Sequence, residues 1–415
     1  MGLSMSDAHR RHVPTRLDSE RWITRKIHRR LLVVVHTVTA GQRLLEAIHL
    51  LQGDSRILVC FTAGPDVFSS GVEEFLEGLR GLVLPWDQAV QTEFDLALAA
   101  GHGGLHELHA PVIVLPHGAG HNKFVPAGGR GREVAERGVY GLSRQRLIRD
   151  GRVIPEAIVL AHHEELTRLG RECPEAVPVA EVVGDPCYDR MTASIASRAL
   201  YREALHVRSR QRLVVACSTW GPRSLLGQRW ELLERLVTEL PQDEYRVALL
   251  MHPHVWTAHS EWQILSWLAV LESLGLIVIS PYADWIGALV AADYIVGDHG
   301  SVSLYGAMTG VPVLMGNLPD ADVDPGSPLA ELGSFAPRVR DDRPLHRQLS
   351  RSSTTYHPHR HAQVARRISS EPGQFAPRMR ALIYRKLRLR APAVRLDTEP
   401  APLPFTAGRH RAGGA

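Results

Sequence analysis

From Leu31 onward the chain alternates short aliphatic runs with amphipathic stretches, beginning with LLVVVH at Leu31 to His36. A strand that is apolar on both faces must be covered on both, and in a parallel sheet the amphipathic helices between strands supply that cover. The runs predict strands at Leu31 to His36, Arg56 to Thr62, Leu82 to Leu84, Asp95 to Ala99 and Pro111 to Leu115. Helical spacing of apolar residues predicts cover over Gln42 to Leu51 and Val67 to Leu79. A second series predicts strands at Leu213 to Ser218, Arg246 to Met251, Leu276 to Ser280, Tyr294 to Gly297 and Val311 to Met315. The expected class is therefore α/β, with two doubly wound halves.

The break between the halves is expected near the EVVGDPCYD stretch from Glu181 to Asp189, where Gly184 and Pro186 interrupt a short β run. This reading divides the 415 residues into a basic segment 1–30, a first domain 31–190, a second domain 191–375 and a basic end 376–415. Eight basic against three acidic residues give 1–30 a net charge of +5, and nine against two give 376–415 a net charge of +7. The whole chain is only +4, so the folded middle is −8, which disfavours a nucleic-acid reader with a basic folded face. Basic ends fit an anionic membrane surface better. In RMRALIYRKLRLR, Arg378 to Arg390, residues Met379, Leu382, Ile383 and Leu387 share one helical face among arginines. That pattern fits either a membrane-surface helix or a helix packed on the domains, followed by a disordered Pro-rich tail. No apolar stretch is long enough for a signal peptide or a membrane span, and Cys60, Cys173, Cys187 and Cys217 lack metal or disulfide spacing. A cytoplasmic protein is expected, peripheral on the inner membrane face if its basic ends bind lipid.

Open α/β sheets bind ligands beyond the carboxyl ends of their strands, so the residues that close each run carry the chemistry. They are His36 and Thr37, Thr62 to Gly64, His117 and Gly118, Ser218 to Gly221, His252 and His254, and Gly297 to Ser303. In YIVGDHGSVSLYGAMTGVPVLM, Asp298 ends a strand, Gly300 turns, and Ser301 opens a helix whose first-turn N–H groups, with Ser301 and Ser303, form an anion site or an ordinary cap. His252, in HPH at a strand end, faces a ligand or serves as a plain hydrogen-bonding residue. An unperturbed imidazole pKa of about 6.5 suits a general base, the role open to His117 of PHGAGH, with Gly118 and Gly120 allowing close backbone approach. Asp185 and Asp189 belong either to an interdomain cleft or, as carboxylates beside a Gly-Pro turn more often do, to the turn itself. The P-loop, the G-x-S-x-G elbow and a G-x-G-x-x-G turn after the first strand are all missing from the sequence, which disfavours P-loop NTPase and dehydrogenase readings.

The order of these motifs resembles the CDP-glycerol glycerophosphotransferases. His117 and Gly118, then Gly184, Pro186 and Asp189, then STWG at Ser218 to Gly221, HPH at His252, and GDHGSVSLYGAMTGVPVL carry the likeness, from about Leu31 to Gly316. It implies two Rossmann-like domains facing a cleft on the glycosyltransferase-B scaffold. His117 would activate the acceptor and His252 would meet the donor diphosphate. Asp298, Gly300, Ser301, Val302 and Ser303 would form the phosphate turn, and Ser218, Thr219 and Gly221 the nucleotide side. The family's D-Y-S-S turn reads here Asp298, His299, Gly300, Ser301, and the carboxylate that sugar-nucleotide enzymes use to hold ribose is missing after Ser301.

The expected function is transfer of a glycerophosphate-like or glycosyl group from a nucleotide-diphosphate donor to a hydroxyl acceptor, lipid-linked in the membrane variant of the reading, within envelope polymer synthesis. No metal and no cofactor are expected. A sugar-nucleotide glycosyltransferase or an enzyme like UDP-N-acetylglucosamine 2-epimerase is the first alternative, and a non-catalytic protein that keeps the fold is the second.

Overall fold

A computed structural model describes residues 24–125, 137–393 and 396–408. They form two compact units. The first comprises the described residues of Met1–His121, Tyr140–Gly184 and Gly373–Leu396, and the second those of Asn122–Val139, Asp185–Pro372 and Asp397–Ala415. The basic segment before residue 24 and the last seven residues lie outside the described chain.

The first unit holds strands β1 (Arg29–Val35), β2 (Ile57–Ala63), β3 (Leu82–Leu84), β4 (Leu96–Ala99), β5 (Val112–Val114), a short hairpin of β6 (Ile148–Arg149) and β7 (Arg152–Val153), β8 (Ala157–Leu160) and β9 (Ala180–Val182). Seven of them pair in parallel in the order β3-β2-β1-β4-β5-β8-β9. The period of two sorts β1 onto two faces: Leu31, Val33 and Val35 join one core, and Leu32 and Val34 the other. Strand β8 escaped the sequence reading because its four buried residues, AIVL, follow Pro155 and Glu156 with no clear amphipathic stretch before them.

The basic helix Phe375–Lys386 packs in the first unit. Phe375, Met379, Leu382, Ile383, Tyr384 and, just beyond, Leu387 lie in the same core as Leu31 and Val33. Each such side chain contributes about 1.5–3 kcal/mol by leaving water. Its cations are also engaged: Arg385 pairs with Glu181, Lys386 Nζ lies 2.9 Å from Glu156, and Arg380 Nε donates to the Leu50 carbonyl at 3.1 Å. The apolar face that could have served a membrane surface is therefore spent inside the protein.

The second unit holds β10 (Arg212–Ser218), β11 (Tyr245–Met251), β12 (Ile277–Val278), β13 (Tyr294–Gly297) and β14 (Val313–Met315), all parallel in the order β12-β11-β10-β13-β14. Asp185 opens this unit by capping the helix Pro186–Ser194, accepting from Tyr188 N–H at 2.7 Å, so the chain changes unit a few residues earlier than residue 190. Within the segment expected to be a disordered tail, residues 396–408 are described and pair with the second unit. Ser280 N–H donates to the Phe405 carbonyl and Ala407 N–H to the Val278 carbonyl, which covers the otherwise open edge of β12. Tyr201 Oη donates to the Ala401 carbonyl at 2.7 Å.

Candidate functional site

In the second unit the strand order reverses direction at β10, whose neighbours β11 and β13 lie on either side, so the loops after β10 and β13 flank the switch point where a parallel sheet accepts ligands. Asp298 ties these loops together. Its buried carboxylate accepts the N–H groups of Thr219 at 2.8 Å, Leu225 at 2.8 Å and Gly300 at 2.9 Å. Burial raises its pKa, against the lowering effect of those N–H bonds and of Lys123. Asp298 thus shapes the site from behind.

Ser218 is spent similarly, donating to the Thr219 carbonyl at 2.9 Å and accepting from Leu226 N–H at 3.1 Å. Ser303 is fully buried, with its hydroxyl 2.1 Å from where a Cβ on Gly297 would stand. These placements commit the side chains of Asp298 and Ser218 to the backbone of the surrounding loops and bury that of Ser303. Thr219 is also buried, with its backbone held by Asp298. Gly221 adopts φ +85 with open space where a side chain would project, and Gly300 sits tight against Asp298 and Thr219. Ser301 and Val302 open the short helix Ser301–Tyr305 and are only partly buried. Because Gly300 N–H is taken by Asp298, the first-turn N–H groups left without an intrahelical partner are those of Ser301, Val302 and Ser303.

His252 ends β11 and caps the helix Pro253–His259, its Nδ1 accepting from His254 N–H at 3.1 Å. In the neutral ring that bond places the proton on Nε2, so His252 presents a donor. Trp220 lies edge-on to His254 at 4.9 Å between ring centroids and 6.4 Å from His252, which gathers the loops after β10 and β11.

In the first unit the switch point falls between β1 and β4, at His36 and at Gly101 and His102, with His117 following β5. His117 Nδ1 faces the Ala100 carbonyl at 3.1 Å, and since a carbonyl only accepts, Nδ1 carries the proton and Nε2 keeps its lone pair. Tyr140 stands edge-on to both His117 and His102, at 6.1 Å and 6.4 Å. His36 Nε2 donates to the Gly103 carbonyl at 2.8 Å, and burial lowers its pKa. Burial, reinforced by the nearby His121, His36, Arg146 and His117, pushes His102 down to about 3. His36 and His102 are therefore neutral imidazoles at pH 7.

The loop after His117 holds a pair that spacing alone does not disclose. His121 Nδ1 lies 2.8 Å from Glu165 Oε1, which also accepts His121 N–H at 2.9 Å, while Oε2 accepts Ala161 N–H at 2.8 Å. Burial alone would raise the Glu165 pKa, but His121, the Ala161 N–H and Arg168 together hold it down at about 2. A Cβ on Gly120 would stand 2.5 Å from Glu165 Oε1 at φ +66, so the approach this glycine permits is that of a carboxylate from its own chain. Glu165 is 44 residues from His121, and only the pairing of β5 with β8 brings them together. Among the described residues no group of three or more His, Cys, Asp or Glu side chains is arranged to hold a metal ion, and no helix is long and apolar enough to cross a membrane.

No known family description and no curated protein matches the sequence. Among solved structures, the wall teichoic acid polymerase TagF superposes with a TM-score of 0.57 at 13% identity, covering 87% of this chain and 89% of that chain. A histidine-to-alanine variant of the same polymerase gives 0.59 at 13% identity over the same shares. At that identity the likeness shows the fold alone: the chain carries the two-domain glycosyltransferase-B fold.

Proposed function

We propose that the protein is a transferase that moves a glycerophosphate-like or glycosyl group from a nucleoside-diphosphate donor to a hydroxyl acceptor. The observation that carries this reading is the hydrogen bond from His117 Nδ1 to the Ala100 carbonyl, which leaves Nε2 as the basic nitrogen at a strand end. In this reading His117 Nε2 takes the acceptor hydroxyl proton. The freed oxygen attacks either the β-phosphorus, expelling a nucleoside monophosphate, or an anomeric carbon, expelling a nucleoside diphosphate. On the second unit, His252 Nε2–H and the N–H groups of Ser301 and Val302 would stabilise the charge that develops on the leaving phosphate, with Thr219 and Gly221 along the nucleotide side. Imidazole and backbone donors suffice for these steps, and none is assigned to a metal.

The polyol and sugar hydroxyls of cell-envelope polymers are the acceptor class that fits a donor of this kind. The test is product analysis with CDP-glycerol and UDP-sugars beside soluble polyol acceptors. Release of CMP selects glycerophosphate transfer, and release of UDP selects glycosyl transfer. His117→Asn is expected to lower turnover about 100-fold or more with little change in donor affinity. Full activity in that variant, or no product with any donor, overturns the reading.

A further inference from the structure

We propose that Lys123, carried into the second unit by an excursion of the first-half chain, is a contact for the donor's phosphate groups. The inference rests on the nucleotide-donor reading and adds to it a residue that no motif points to. The chain enters the second unit at Asn122 and leaves it after Val139. Its two arms are anchored there by backbone bonds. Phe124 N–H donates to the Asp322 carbonyl at 3.0 Å, Asp324 N–H to the Asn122 carbonyl at 2.9 Å and Val125 N–H to the Gly138 carbonyl at 2.9 Å, with Lys123 bridging antiparallel to Val323. Arg137 stacks its guanidinium over Phe124 at 5.7 Å. The position of Lys123 is thus fixed by main-chain pairing on both sides.

The charge around it does not balance. Lys123 lies close enough to Asp298 and Asp322 to feel both carboxylates, yet each is committed elsewhere. Asp298 holds three backbone N–H groups, and Asp322 pairs with Arg223 at 2.8 Å and with Arg137 at 3.5 Å. Lys123 is partly buried and makes no hydrogen bond or ion pair with any described residue. Among the described residues three cations therefore face two carboxylates, and burial lowers the Lys123 pKa against the raising effect of Asp298 and Asp322. Beside it His299 is 7% exposed, with Nδ1 bonded to nothing, and burial together with Lys123 and Arg223 keeps the ring neutral. A lysine with no side-chain partner among the described residues and a neutral imidazole next to the Asp298 turn suit a phosphate, which offers charge to one and an oxygen to the other.

The test is calorimetric titration of the full chain with CDP, UDP and GDP, then with the monophosphate and the free nucleoside of whichever binds. Lys123→Ala is expected to weaken the diphosphate roughly tenfold to a hundredfold while leaving the nucleoside unchanged, and Lys123→Arg to restore most of the loss. Equal loss for diphosphate and nucleoside, or no loss for either, overturns the contact and leaves the nucleotide reading standing. Wild-type protein that binds none of the three diphosphates overturns both. Unfolding midpoints within about 2 °C of wild type confirm that the variants are folded.

Discussion

Glu165 is ionised at a depth where burial alone would keep a carboxyl neutral, so its environment contributes to stability as well as to the site. Its folded pKa of about 2 lies below the ordinary 4.5, so its contribution is complete above pH 4.5 and fades as pH falls toward 2. The shift corresponds to about 3 kcal/mol. Glu165→Gln is therefore expected to lower stability by about that amount at neutral pH. The gap between variant and wild type, measured by denaturant unfolding, should close as pH drops through that window; a constant gap would show that the charge is irrelevant. Gly120→Ala attacks the same pair from the backbone, at positive φ and with its Cβ on Glu165 Oε1, and should cost about 1–3 kcal/mol. His102 acts in the same direction over a higher pH range, because its folded pKa is also lowered. As a base with its pKa lowered to about 3, it draws no proton in the folded state while the unfolded chain takes one below 6.5. It therefore erodes stability as pH falls from about 6.5, and His102→Gln should flatten that part of the stability profile. None of this was legible in the sequence, where His117 and His252 stood out by lying at strand ends while Glu165 was one of several carboxylates on a surface-like helix.

At the scale of elements, legibility followed periodicity. Strands β3 and β13 fall at the residues the aliphatic runs predict, and most others within one or two residues, because a run apolar on both faces has few alternatives to a buried parallel strand. The helix Phe375–Lys386 was equally visible as an element, but its partner was not, since one apolar stripe suits a bilayer or a core. Its burial beside Leu31 and Val33 settles the partner and changes what a truncation would mean. Removing 376–415 takes away core side chains, so loss of vesicle binding after that cut would report unfolding. Met379→Ala is expected to cost about 2–5 kcal/mol in chemical denaturation. Reversing the exposed Arg385 to Glu, which breaks only the surface pair with Glu181, should change stability little. A large effect at Arg385 with none at Met379 would contradict the packing.

At the scale of the whole molecule, each unit is assembled from three separate stretches of chain, which no reading of local composition discloses. The first sheet is complete by β9, yet one of its faces is finished only when the chain returns at Gly373 and lays Phe375, Met379, Ile383 and Leu387 against it. The second unit likewise waits for residues 397–408 to cover β12, where Ala407 N–H meets the Val278 carbonyl. Dividing the protein at the sequence-visible junction should therefore leave the first unit with an uncovered apolar face. A fragment of residues 24–184 is expected to be aggregation-prone and protease-sensitive, and to gain protection and a cooperative melting transition when a peptide of residues 370–396 is added in trans. The gain should depend on peptide concentration, since the missing helix then acts as a ligand of the folded state. A fragment that melts cooperatively near the full-length midpoint without the peptide would mean that the returning helix decorates a core already closed.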